Sequence, residues 1–177
     1  MKRYAAFLIV LMFGVAVLAC AQQDKSQRPS PPASASCKFS DGKTIQTDYS
    51  SPRMKGRKIY GGLVPYGQVW RTGANEATTF VTDTAVSVGG KDIPAGSYTL
   101  FTVPDSGKWT LIINKKTAEW GIPYKYEADE LARVDMQVSP LPSPVENFTI
   151  SYASAGKACT LQLDWESTRA SVAIMEK

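Results

Sequence analysis

Between Asp48 and Glu76 the chain carries no acidic residue, whereas Arg53, Lys55, Arg57, Lys58 and Arg71 all fall inside that window. Tyr49, Tyr60, Tyr66 and Trp70 are interleaved with them, and the prolines and glycines from Pro52 to Gly73 mark tight bends. Guanidinium forks read carboxylate or phosphate, and aromatic faces stack on rings. These residue types make Arg53, Arg57, Trp70, Arg71, Asn75 and Glu76 a candidate ligand-binding set for a small polar, anionic or glycan-like molecule. Three plainer readings stand beside it: the charges form a solvated face, the glycines satisfy turn geometry, and Trp70 belongs to the core.

Catalysis has fewer materials. Histidine is absent, which removes the commonest general base, any imidazole-based triad and the commonest zinc ligand. A hydrolase would need a carboxylate pair, with Glu76 set against Asp48 or Asp164. The competing role for Glu76 is an ion pair with Arg71 or Arg53 that fixes the loop, and no catalytic residue is assigned. The acidic group Glu127, Asp129, Glu130 and Asp135 lacks the glycine spacing of a calcium loop, so neither a metal nor a cofactor is expected. Of the formal net charge of +4, Lys2 and Arg3 account for two. So small an excess is no nucleic-acid signature.

The elements that must position these residues read as strands. β-branched and aromatic runs at 44–49, 76–82, 85–88, 97–103, 109–113, 132–138, 148–153, 159–165 and 170–175 recur between turn signals. That spacing predicts an all-β antiparallel sandwich or a partly open barrel. At most one or two short helices are expected, at 115–121 and 127–131, and Pro140 to Pro144 reads as a connector. About 140 residues, 37–177, suffice for a single domain.

Ahead of the domain, Met1-Lys2-Arg3 and the apolar run Tyr4 to Ala19 have the layout of a signal peptide over 1–19. The alternative, a spanning helix, needs roughly 20 apolar residues and a stop-transfer cluster. Val17-Leu18-Ala19-Cys20 resembles the bacterial lipobox, which implies a lipid on Cys20 and a membrane as partner; ordinary cleavage after Ala21 is the other possibility. Residues 20–36, rich in proline, serine and alanine, read as a disordered tether to an anchored domain. The expected location is the bacterial cell envelope, membrane-anchored or else periplasmic or secreted. In that oxidising compartment Cys37 and Cys159 are expected to form a disulfide, closing a loop worth roughly 4 to 5 kcal/mol at most. Two buried free thiols are the alternative.

Tyr49-Ser50-Ser51-Pro52-Arg53, Lys55 through Gly67, and Val69-Trp70-Arg71-Thr72-Gly73-Ala74-Asn75-Glu76-Ala77-Thr78 resemble the blocks of the domain of unknown function 2911 family. Ile93-Pro94-Ala95-Gly96, Trp109, Asn114-Lys115, Trp120-Gly121 and Trp165-Glu166 are similar to its later blocks. The resemblance implies an exported bacterial protein and brings no reaction or ligand. A binding module is therefore the expected function, with a hydrolase or a structural and interaction protein of the envelope as alternatives. The sequence leaves the oligomeric state open.

Overall fold

The computed structural model describes residues 24–177. The signal segment, Cys20 and the first residues of the expected tether lie outside the described residues. Nine strands follow in chain order: β1 (Pro32–Lys38), β2 (Thr44–Ser50), β3 (Thr78–Thr82), β4 (Val86–Val88), β5 (Lys91–Ile93), β6 (Gly96–Val103), β7 (Trp109–Asn114), β8 (Glu130–Ala155) and β9 (Ala158–Glu176). Pairings between these strands are all antiparallel, in the order β1-β2-β3-β6-β7-β8-β9-β4-β5. The expected all-β class is what the chain adopts, as an open sheet folded over into a sandwich.

The fold-over is built into the longest pair. β8 and β9 run antiparallel, but their register slips between Pro140 and Val145 and again between Val145 and Thr149. Prolines cannot donate to the ladder, and extra residues on one strand bend it. The partner strand turns the same corner at Glu166, whose φ is 53°. β9 consequently folds back far enough for the Glu176 amide to donate to the Lys157 carbonyl at 2.9 Å. Sequence reading takes each of these strands as two, with Pro140 to Pro144 as a connector; the corner lies inside a continuous ladder instead.

The opposite end of the sheet closes onto this ribbon. Tyr49 of β2 accepts from the Ile150 amide at 3.0 Å through its hydroxyl, and its ring meets Phe148 edge-on. Thr47 and Tyr152 share a hydrogen bond across the same gap. Cys37 of β1 and Cys159 of β9 are joined by a disulfide across 122 residues. The core between these layers is fully buried aliphatic and aromatic side chains, among them Ile45, Phe80, Leu100, Leu111, Leu161 and Leu163.

Two expectations need correction. Residues 24–36 are not a disordered tether: Lys25–Gln27 forms a 3-10 turn and Pro32–Lys38 is an edge strand paired along its length with β2. Its alternation is real but carried by small residues, with Ala33, Ala35 and Cys37 inward and Ser34 and Ser36 outward. So little apolar area makes a strand look like a linker, although a paired neighbour supplies its hydrogen bonds. The ordered domain thus begins before residue 37. At 115–121 no helix forms, and at 127–131 there is only the 3-10 turn Glu127–Asp129.

Replacing Cys37 and Cys159 together by serine should lower unfolding stability by about 2–5 kcal/mol. Urea denaturation with matched reduced and oxidised wild type will read it; an unchanged midpoint would show that the loop closure contributes nothing.

Candidate functional site

The basic, glycine-rich segment between β2 and β3 lies across the corner of the sandwich. Ser51 starts it by donating its hydroxyl to the Phe148 carbonyl at 2.7 Å, and the Met54 amide donates to Glu146 O at 2.8 Å. Farther along, Trp70 exchanges both backbone hydrogen bonds with Thr102 of β6, at 2.7 and 2.9 Å. The loop is therefore stitched to both layers.

Aromatic packing does the rest. Trp70 stacks on Trp165, centroids 5.9 Å apart and planes 19° from parallel, and meets Phe148 edge-on at 4.9 Å. Tyr60 packs against Trp70, Trp109 and Trp165. Both stacked indoles spend their N–H on carbonyls, Trp70 on Gly73 at 3.0 Å and Trp165 on Glu146 at 3.1 Å. Burial pushes the Tyr60 hydroxyl well above the usual tyrosine range, so it stays protonated.

Between Trp70 and the 120–122 segment opens a cleft of about 320 Å³, at the small end for ligand sites. Trp70 and Trp165 line it with Val64, Val69 and Pro52, while Leu63 and Ile122, 46% and 40% exposed, stand at its edge. Among the described residues Arg71 is the only charged one lining it, and no carboxylate does. Its Nη1 donates to the carbonyls of Asn75 at 2.7 Å and Trp120 at 3.2 Å, and its guanidinium carbon lies 5.1 Å from the centroid of the Trp120 ring. Burial lowers the Arg71 pKa while the charge of Glu76 raises it, the former prevailing.

The backbone here is shaped for close approach. A side chain at Gly73 would place its Cβ 3.0 Å from Ser50 O, and one at Gly121 (φ +89°) would sit 2.9 Å from the Ala77 Cβ and 3.2 Å from that of Arg71. Thr72 holds a φ of 53°, a region costly for a β-branched residue, on the order of 1–3 kcal/mol. Its carbonyl accepts from the Thr78 hydroxyl at 2.7 Å and its own hydroxyl shares a bond with Thr102, so the strain is held by neighbours. Strain maintained this way clusters where a loop must present particular groups.

The six candidates do not converge. Trp70 and Arg71 line the cleft. Arg53 donates to the Ser51 hydroxyl at 2.9 Å, and Arg57 donates to the carbonyls of Met54 and Arg53 at 3.0 and 2.6 Å, both serving the first bend. Asn75, in the left-handed region at φ 57°, donates its side chain to Ser30 O at 3.0 Å. Glu76 accepts from Arg28 at 2.8 and 3.0 Å and pairs with Lys25 at 3.1 Å. Its own backbone amide, then Arg28, hold its carboxyl down at about 2. Asn75 and Glu76 are thus moorings for the N-terminal segment, and the ion pair expected with Arg71 or Arg53 is made with Arg28 and Lys25.

Sequence reasoning missed Leu63, Ala74, Ile122 and Trp165 as cleft residues. Trp120 and Trp165 stand in recognisable blocks of the chain, yet nothing in linear order says they face the Trp70 loop. The acidic residues Glu127, Asp129, Glu130 and Asp135 do not gather either; among the described residues no group of three or more acidic or cysteine side chains is placed to hold a metal. Glu130 is tied to Arg133 at 2.7 Å and accepts from Tyr124 at 2.6 Å.

Fold and site together define a disulfide-bonded, open β-sandwich with one small aromatic cleft at its corner. The chain belongs to the family described as protein of unknown function DUF2911, whose model matches residues 30–174. That span takes in every strand but for the last two residues of β9, and the mooring of Asn75 on Ser30. No curated protein and no solved structure matches the chain.

A Glu76→Gln variant should free residues 24–31 while leaving the global unfolding free energy within about 1 kcal/mol of wild type, since the Lys25 and Glu76 side chains are exposed and only Arg28 is partly covered. Hydrogen exchange at those amides reads the release. The folded carboxyl lies below the ordinary glutamate value of 4.5. Its contribution is therefore complete above that value and fades as pH falls from there toward about 2. Slow exchange at 24–31 in E76Q would show that the clasp lies elsewhere.

Proposed function

We propose that this protein is an exported component of the bacterial cell envelope, anchored by lipid on Cys20, which binds a small ligand in the Trp70–Arg71 cleft. The observation that carries the binding reading is the cleft itself: an apolar, aromatic-floored cavity with one half-buried guanidinium and no acid. Such sites fix orientation through a few polar groups and gain affinity from apolar walls. Export is supported by the leader at 1–19 and by the Cys37–Cys159 bridge, a bond that persists in oxidising compartments.

The hydrolase alternative has less support. Glu76 and Asp48 do share a second, smaller hollow of about 180 Å³ with Lys25. There both Glu76 oxygens accept from Arg28, and a carboxyl held at about 2 is a poor general acid at neutral pH. Asp164 is paired bidentately with Arg169, at 2.8 and 2.6 Å.

Two experiments test the proposal. Ala74→Leu adds bulk to the cleft wall without touching the aromatic stack; it should abolish saturation-transfer signals from any bound envelope metabolite with little change in urea midpoint. Ligands that bind the variant as tightly as wild type would place the site elsewhere. Separately, Cys20→Ser should move the processed protein from the membrane to the soluble fraction. Continued membrane fractionation after signal cleavage would remove the lipid anchor from this reading.

A further inference from the structure

We propose that the ligand of this cleft is a small monocarboxylate with a flat, apolar body, and not a neutral sugar. The inference rests on the reading of the cleft as a binding site and narrows its chemistry. Among the described residues Arg71 has no carboxylate within salt-bridge distance; the neighbouring acid, Glu76, is taken by Arg28 and Lys25. Glu76 acts on Arg71 only at a distance and burial prevails over it, so a half-buried charge is left without a direct ion-pair partner, a cost that an incoming anion reduces. Among the described residues only one cation lines the cavity, so one negative charge matches it.

The guanidinium is also pre-set for a fork. Nη1 is engaged by the Asn75 and Trp120 carbonyls, and the Trp120 ring lies against the guanidinium. Nε and Nη2 donate to no group among the described residues. Those two nitrogens form one edge of the planar group, the geometry that receives both oxygens of a carboxylate. Because two carbonyls and a ring hold the plane, little rotamer freedom is lost on binding.

The remaining lining excludes a sugar. Apart from Arg71, the polar side-chain groups lining the cleft are the Gln68 amide and the two indole N–H groups, and both indoles already donate to carbonyls. A saccharide would bury several hydroxyls against Val64, Val69, Pro52 and Leu63 with only the Gln68 amide and Arg71 as side-chain partners, and each hydroxyl left unpaired weakens binding. A planar apolar body instead lies on the Trp70 face and displaces water from the aliphatic edge. The volume of about 320 Å³ admits a one- or two-ring body and little more.

The test uses the purified full-length protein with three probes: 2-naphthoate, its neutral isostere 2-naphthamide, and N,N′-diacetylchitobiose. Calorimetry and saturation-transfer measurements should show naphthoate binding at least about tenfold tighter than the amide, and no disaccharide binding, since charge-assisted hydrogen bonds are worth 1.5–3 kcal/mol. Arg71→Met should bring acid and amide to the same affinity, and Arg71→Lys should keep a reduced preference for the acid. Equal binding of amide and acid by wild type, binding of the disaccharide alone, or an acid preference that survives in R71M would each overturn the carboxylate assignment while leaving the cleft as a site. Absence of binding by all three probes also overturns it, and the cleft reading then stands or falls on the Ala74→Leu variant.

Discussion

Trp165 sits at the corner where β9 turns from one layer of the sandwich to the other, and its packing governs what surrounds it. Its indole holds Glu146 across the bent ribbon, its face receives Trp70, and its edges meet Tyr60 and Phe148. Full burial of such a ring contributes several kcal/mol, and truncating it would open a cavity shared by both layers and the loop. The same contact helps fix where the 51–77 loop lies, since Trp70 both stacks there and is paired through its backbone with Thr102. The cleft exists because this loop is held on one side by an indole stack and on the other by the β6 ladder.

Charge separation within the loop follows from that placement. Arg71 and Glu76 are five positions apart and would neutralise each other in a simple turn. The left-handed residues Thr72 and Asn75 fold the backbone so that Arg71 turns toward Trp120 while Glu76 turns toward Arg28. One charge is thereby reserved for the cleft and the other for the N-terminal segment. Thr72, Gly73 and Asn75 are the residues that make this division, through conformation more than through contact.

The legible parts of this fold were those whose hydrophobic period matched a strand with large side chains. β2, β6, β7 and both halves of β9 announced themselves through alternating or doubly apolar runs. β1 did not, because Ala33 and Ala35 bury too little to register, and β5 is only three residues long. Trp70 and Arg71 were identifiable from residue type in a bend-rich loop. The other half of the cleft comes from Ile122 and Trp165, brought in by a tertiary fold that residue type does not encode. Arg53, Arg57, Asn75 and Glu76 had the right chemistry for ligands, and in the fold Arg57 and Asn75 hold backbone carbonyls while Arg53 and Glu76 hold neighbouring side chains; a polar side chain in a loop has both uses, and only its partner distinguishes them. Glu76's partners lie in a stretch whose composition suggested no structure, with Arg28 lying 48 positions before Glu76.

The disulfide gives the chain a topology that outlasts its loops. Since Cys37 and Cys159 are 122 positions apart in sequence, every exposed bend of the cleft, including 61–67 and 118–122, lies within one covalent ring. A protease that cuts any of these bends opens the ring without releasing a fragment, and the two pieces remain paired through the β-ladders that flank the cut. Damage at the most accessible surface is then a nick in a closed circuit, and the severed ends stay close to their folded positions.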